Sequence, residues 1–477
     1  MSRTIIAELW AKWLSHGCAG RDPVHSGAYG RAMISGMQTK DSAGHPKMLA
    51  YLKHYTIYSR EQNRMHSEAN VTVFDLHDSY LPQYEEAFKA NASGVMCSYD
   101  SINGVPACAN EYTLNKMIRQ AWGQTDAFVT TDCGAVSNML GQLEPAPGHT
   151  RLAAIPEEAA AWTINNGTDL EMGSTIWTDH MMNATKMGLV SEATIARSVR
   201  RGLRQQFLAG RFSPGKAWAE LGAKDINSTR AQQIQNEAAL QGMILLKNQG
   251  LLPLKKGSNI AVVGPMGVDT LLTSDYAGGT GEGGCWPKAD ASCVRTIFEA
   301  IREANVGGTT HSAPGVPAAH DHSPPAKFLA DAITVAKAAD IVVLAVGNDR
   351  NAEHEGIDRP DVNLTSAQQA LATQVLALGK PTLLLLSNGG AVSIDGLIEG
   401  SKSIVECFNP AHNTPQLAKL LFGEANNWGK LPVTIYSHNY TTGGDGLPAQ
   451  DMNNYDMVKA PVSATAASSH RGSALRR

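Results

Sequence analysis

No run of roughly eighteen apolar residues occurs in the chain, so no segment has the length and character of a membrane-spanning helix. An excess of one charge is missing as well. The 40 basic and 44 acidic residues give a formal charge of −4, and neither sign forms long blocks, which argues against nucleic acid as a partner. No secretory leader is recognisable, because Arg3, Glu8 and Lys12 interrupt any apolar core between Met1 and Leu14; this leaves open that the natural chain starts elsewhere. Metal and nucleotide signatures are wanting too. His320-Asp321-His322 does not close a metal site at that spacing and reads as a surface loop. The glycine-rich run Gly278–Gly284 lies about fourteen residues beyond the apolar run Ile260–Val263 instead of directly after it, and no dinucleotide fingerprint fits. Neither a metal nor a cofactor is implied.

What the chain does have is length and alternation. Its 477 residues suffice for two or three domains with separate cores. From about Lys47 to Arg211, short apolar runs at Met48–Leu52, Gly94–Tyr99, Ala127–Thr131 and Asp169–Met172 read as strands between helical patterns, the signature of βα units and a parallel sheet. Met1–Trp13 reads as a helix. Gly210–Gly215 is a turn-rich break that opens a linker over 213–245. Beyond it, apolar runs at Ile260–Val263, Ile341–Val346, Thr382–Leu386 and Ser403–Cys407 alternate with helical stretches such as Ala326–Ala338 and Ser366–Leu378. Continuous apolar runs suit strands covered on both faces, so 246–440 reads as a doubly wound α/β sandwich. The Gly-, Ser- and Ala-rich stretch 441–477 has too little apolar content to bury itself and is expected to be disordered.

One strand–helix–strand unit stands out between Val95 and Val136. Between its two apolar runs lies a helical stripe, Leu114, Met117, Ile118 and Ala121, suited to packing on a sheet. The second run ends on Asp132. Parallel α/β folds place their chemistry at such C-terminal strand ends, so Asp132 is a candidate reacting carboxylate, although a helix N-cap aspartate fits the position equally. Cys97 and Cys108 flank the Asn103-Gly104 turn, where a disulfide could close a short loop, and Cys285 with Cys293 could pair likewise; buried free thiols are the alternative in each case. Seven N-x-S/T sequons, at Asn70, Asn91, Asn166, Asn183, Asn227, Asn363 and Asn439, favour secretion.

Several motifs in order resemble glycoside hydrolase family 3. Thr131-Asp132-Cys133 is similar to the family's strand-end S-D-C or S-D-W, which bears its nucleophile. Upstream, Lys53-His54-Tyr55 with Tyr58 resembles K-H-F-x-x-Y, and Phe74–Tyr84 resembles the helix start that follows. Downstream, Gly167–Glu171 resembles G-T-D-L-E, and Leu245–Asn248 with Leu251–Leu254 resembles the run that opens the second domain. The resemblance implies a (β/α) barrel over 1–212 before the α/β sandwich. It implies Asp132 as nucleophile, Lys53 and His54 as sugar-hydroxyl ligands, and Tyr99 as a subsite residue, though a tyrosine so placed could simply be core. For the acid/base, Glu353-His354-Glu355-Gly356-Ile357-Asp358-Arg359 resembles E-x-E-G-x-D-R, which favours Glu355 with Glu353 second; by residue type alone this is a solvated charged loop.

Glycosidic cleavage needs one carboxylate to attack the anomeric carbon and one protonated carboxyl to assist the leaving oxygen, which this pair would supply. The implied activity is a retaining exo-acting β-glycosidase that removes terminal β-D-xylosyl residues from xylo-oligosaccharides. Cys133, Val95–Tyr99 and Asn103–Asn110 favour the β-xylosidase branch, with β-glucosidase as the alternative. A barrel usually takes about 250 residues, and the family places strands before the element that Gly20–Pro23 resembles, so the barrel reads as incomplete and a catalytically silent relative also stays open. Longer relatives continue into an immunoglobulin-like domain that this sequence does not reach.

Overall fold

A computed structural model describes residues 22–140, 152–212, 228–269 and 294–435 apart from 60, 62, 350, 360 and 361, together with the strand pair 4–5 and positions 222, 225, 437 and 438. The pair Cys285 and Cys293, the glycine run Gly278–Gly284 and the stretch 441–477 lie outside the described residues. Two compact units divide the chain, the first spanning Met1–Leu221 and the second Gly222–Met452.

The first unit is built on a parallel sheet in the order β1 (Thr4–Ile5), β2 (Leu49–Tyr55), β3 (Gly94–Cys97) and β4 (Phe128–Thr131). Thr4–Ile5 pairs in parallel with Leu49–Ala50, so a strand stands where the sequence pattern suggests a helix over Met1–Trp13. Asp169–Met172, expected as a further strand, reduces to a single bridge between Leu170 and Thr130. The reason is local. Asp169 turns its carboxylate to the buried Arg119 and the part-buried Arg201, at 2.7 and 2.9 Å, and to the Val129 N–H, at 3.0 Å, while Gly173 at φ +74° reverses the chain. Burial of this triad outweighs the pairing at Arg119, whose guanidinium is pushed down to about 10.

The helix between β3 and β4, Tyr112–Ala121, is wound with the wide π-type turn. Leu114 and Ile118 are buried as the spacing predicts, but Ala121 is exposed and Thr113 and Arg119 are buried instead, because the wider turn rotates the later residues off an α-helical face. Helices Pro23–Met37 and Pro82–Lys89 pack into the same core, which contains Leu52, Tyr55, Tyr84, Phe88 and Val95. Cys97 and Cys108 form a disulfide that closes the loop following β3. Replacing both by alanine should lower unfolding free energy by about 3 kcal/mol, the loop-entropy value for a ring of this size. Urea melts of oxidised and doubly substituted protein test it, and equal midpoints would contradict it.

The second unit is a six-stranded sheet in the order β7 (Thr309–Ala313), β6 (Asn259–Val263), β8 (Ile341–Gly347), β9 (Thr382–Ser387), β10 (Ser403–Glu406) and β5 (Ile244–Asn248), with only β5 antiparallel. Alternate residues of the strands enter two separate cores. Ala261, Val342, Leu344 and Leu384 join helices Ala326–Ala338 and Ser366–Leu376, whereas Val262, Val343, Ala345 and Leu385 join helices Ile297–Ala304 and Thr414–Leu421. Both faces are therefore covered, as the continuous apolar runs require. Strand order reverses beside β6, with β7 on one side and β8 on the other, so the loop leaving β8 starts at the kind of switch point where α/β folds place functional groups.

One carboxyl is sealed inside this unit. Glu406 is 1% exposed, and burial pushes its pKa from 4.5 up to about 8. Between those two pH values the unfolded chain has released the proton while the folded chain keeps it, so stability falls as pH rises and the loss is complete above the folded value. Its slope is at most about 1.4 kcal/mol per pH unit. Glu406→Gln cannot ionise in either state and should flatten the decline between pH 5 and 8 in denaturant melts. An unchanged slope would show that Glu406 is ionised in the fold.

Candidate active site

In the first unit the side chains gather where β2, β3 and β4 end. Asp132 follows β4, and its N–H donates to Cys97 O at 3.0 Å, which ties it to the neighbouring strand end. The carboxylate is mostly shielded, with the side chain 14% exposed. Oδ1 accepts the Cys133 N–H at 2.8 Å and Oδ2 lies 3.4 Å from His54 Nε2. Asp132 is not a helix cap. The short helix Ala135–Asn138 has Gly134 at its N-cap, without a side-chain cap bond. From below, Thr131 N–H donates to Leu170 O and Gly134 N–H to Met172 O, at 3.0 and 2.8 Å, so the segment anchored by Asp169 also fixes the Asp132 turn. Gly173 permits this closeness, since a Cβ there would lie 2.6 Å from the Cys133 Cα.

His54 and Lys53 come from the last part of β2, where the pairing with β3 shifts register between Leu52 and Tyr55. Such an irregularity re-aims side chains at a strand end. Tyr84 Oη donates to His54 O at 2.9 Å and steadies the backbone, while the His54 ring lies 5.3 Å from that of Tyr58. Lys53 is half-buried beside it on β2. Tyr99 is largely buried, donates its hydroxyl to Cys133 O at 2.7 Å and lies against Tyr58 with ring centroids 5.9 Å apart. Burial first, and then the nearby Asp132 charge, push the Tyr99 phenol well above its ordinary range, so it stays a hydrogen-bond donor.

Arg64 belongs to the same group and carries no signal in the sequence pattern. Its guanidinium lies 5.9 Å from the Tyr99 ring centroid and 3.4 Å from Glu61. The residue sits on a single 3-10 turn, Arg64–His66, after Asn63 at φ +57°, a local geometry without periodicity.

In the second unit Glu355 occupies the tip of a tight hairpin. His354 N–H donates to Ile357 O at 3.2 Å and Ile357 N–H to His354 O at 2.9 Å, leaving Glu355 and Gly356 as the two turn residues. Gly356 has φ +92°, which a side-chain-bearing residue resists and glycine accepts at the second turn position. Glu353 is at the base instead. It is 8% exposed, its Oε1 accepts the Gly390 N–H at 2.7 Å and its Oε2 forms a short ion pair with Arg359 Nε. Arg359 also donates to Ala391 O at 2.9 Å. At the start of the segment, Asp349 accepts Asn351 and Ala352 N–H groups and meets His320 Nδ1 at 2.6 Å, so His320 of the expected surface loop serves as an anchor. The hairpin is thus held at both ends while Glu355, half-buried, is presented between them.

Of the residues singled out in the sequence, His54, Tyr99 and Asp132 therefore come together in the first unit with Lys53 on the same strand, and Glu355 and Glu353 share one hairpin in the second.

Two family models match the chain. Residues 16–204 match the glycosyl hydrolase family 3 N-terminal domain and residues 243–467 its C-terminal domain. The exo-1,4-β-xylosidase bxlB of Emericella nidulans is 31% identical over 448 residues, covering 91% of this chain and 55% of the relative. A probable exo-1,4-β-xylosidase bxlB of Aspergillus clavatus is 30% identical over 467 residues, covering 93% and 57%. The chain spans about half the length of the curated relatives it matches. Among solved structures, a GH3 exo-β-xylosidase, XlnD, in complex with a xylobiose aziridine activity-based probe superposes with TM-score 0.77 at 29% identity, over 91% of this chain and 55% of that one. A β-glucosidase from Listeria innocua superposes with TM-score 0.77 at 24% identity, over 91% and 58%.

Proposed function

Because the chain belongs to glycosyl hydrolase family 3, matched in both of that family's domains, we propose that it is a retaining exo-acting β-glycosidase that releases terminal β-D-xylosyl residues from xylo-oligosaccharides. The observation that carries this reading is Asp132, a shielded carboxylate at a strand end with a His54 ring nitrogen at 3.4 Å. Asp132 attacks the anomeric carbon to form a glycosyl-enzyme ester, and Glu355 gives its proton to the departing oxygen. Water, deprotonated by Glu355, then releases the sugar. A retaining pair works with carboxyl groups about 5 to 5.5 Å apart in the reactive complex. An N–H of His54 directed at Asp132 Oδ2 across 3.4 Å favours the ionised nucleophile, and the Tyr99 bond to Cys133 O fixes the adjoining peptide. Lys53 and His54 bind sugar hydroxyls. Glu353 is assigned to the hairpin base instead of the proton transfer, because both of its oxygens are engaged there.

Xylose over glucose is favoured by Cys133 and the flanking motifs and by the exo-xylosidase names of the relatives. Secretion is supported by the disulfide and by the exposed sequon asparagines Asn70 and Asn91. Parallel assays on aryl β-xyloside and aryl β-glucoside test the substrate. Roughly tenfold or more in kcat/KM should favour the xyloside, the scale set by one extra hydroxymethyl group in a fitted pocket. A preference for the glucoside would move the chain to the β-glucosidase reading, and no turnover of either to the silent one.

A further inference from the structure

The hairpin that presents Glu355 rests on a second layer of buried polar groups. Glu353 and Arg359, at its base, bond to the backbone of Gly390 and Ala391 just after β9. That backbone is held in turn by Asn388, wholly buried, whose Nδ2 donates to Gly390 O at 2.9 Å and to Glu406 Oε2 at 3.1 Å. Glu406 ends β10 and accepts the Phe408 N–H on Oε1 at 2.8 Å. A carboxyl sealed in an apolar sheet is costly to keep and cheap to replace by a hydrophobic side chain, unless its bonds do something that packing cannot. Here Oε2 is spent, through Asn388, on the turn that carries the hairpin, and Oε1 on the backbone that leaves β10.

We propose that Glu406 is a positioning residue for Glu355, acting through Asn388 and the Gly390–Ala391 backbone on the Glu353–Arg359 base of the hairpin. The catalytic side of this inference rests on Glu355 being the proton donor, whereas the mechanical side does not. Protonated Glu406 suits the role, since its raised pKa keeps the group neutral beside the ion pair below about pH 8. An ionisable group so placed sets the angle of the turn without adding charge to it. Positioning of this kind matters because a displacement of about 1 Å at a reacting group costs on the order of 100-fold in rate.

The test uses the full chain with Glu406→Ala, Glu406→Gln and Asn388→Ala, and two readouts. Hydrogen exchange of the 353–359 peptide should rise roughly tenfold or more in Glu406→Ala and Asn388→Ala, with Glu406→Gln, which keeps one of the two acceptors, between them and wild type. Turnover of an alkyl β-xyloside, whose leaving group needs a proton, should fall about 10- to 100-fold in kcat with KM within about twofold, while a dinitrophenyl xyloside still forms the glycosyl-enzyme at the normal burst rate. Wild-type exchange and wild-type alkyl xyloside turnover in a folded Glu406→Ala protein would overturn the proposal. Should that variant not fold, Asn388→Ala cuts the same link and is judged on the same readouts. Raised exchange with an unchanged ratio of alkyl turnover to dinitrophenyl burst rate supports the mechanical link and counts against Glu355 as the acid.

Discussion

Asp132→Ala should lower kcat on every glycoside, activated or not, by on the order of 10⁴-fold or more, with the fold intact. The whole reaction passes through the bond that this carboxylate forms, so no leaving group is good enough to bypass its loss. Structure around the residue gives no reason to expect unfolding. Its oxygens meet Cys133 N–H and His54, while the bonds that hold the turn are made by backbone atoms of Asp132, Gly134 and Thr131. A thermal melt beside the kinetics separates the two effects. Activity persisting in Asp132→Ala, with another carboxylate substitution abolishing it, would remove the residue from the mechanism.

Glu355→Ala should behave differently, and the difference identifies its role. On alkyl or disaccharide substrates kcat should fall about 10² to 10⁴-fold, the range for loss of a general acid, whereas a dinitrophenyl xyloside should form the glycosyl-enzyme at a normal rate. Deglycosylation then becomes slow, and added azide, a nucleophile that needs no base, should restore turnover and yield the glycosyl azide. The neighbouring Glu353→Ala should instead destabilise the second unit by about 3 to 5 kcal/mol, because it strands a buried guanidinium. If only Glu353→Ala shows the leaving-group dependence and azide rescue, the roles within the hairpin are shifted by two residues.

Much of the second unit is legible from the sequence. β8 and β9 are unbroken apolar runs because both faces of their sheet are covered, and the pattern alone gives strands there. The first unit is harder to read. Asp169–Met172 has strand-like composition but spends its backbone on one bridge, since its aspartate is fixed by two arginines that lie far away in sequence. Ala121 falls on the wrong face because a π-type turn cannot be told from an α-turn by spacing. Thr229–Gly242 lies in the stretch read as a linker and buries no residue, so it offers no periodic apolar face to find.

The site divides in the same way. Asp132, His54 and Tyr99 stand at strand ends, where position and motif coincide, and the structure brings them together. Choosing between Glu353 and Glu355 needs tertiary information, namely that Gly390 and Arg359 occupy one of them while a glycine turn presents the other. Arg64 has neither periodicity nor motif, and Glu406 is an acidic residue at the end of an apolar strand. Their significance comes from what packs on them.

The central claim, a retaining glycosidase working through Asp132, is tested most directly by trapping its intermediate. Incubation with a mechanism-based fluorinated xyloside, followed by proteolysis and mass spectrometry, should give a single glycosylated peptide with the sugar esterified to Asp132, time-dependent loss of activity and no labelling of Asp132→Ala. A label on any other carboxylate, or steady turnover with inversion of configuration, would contradict it.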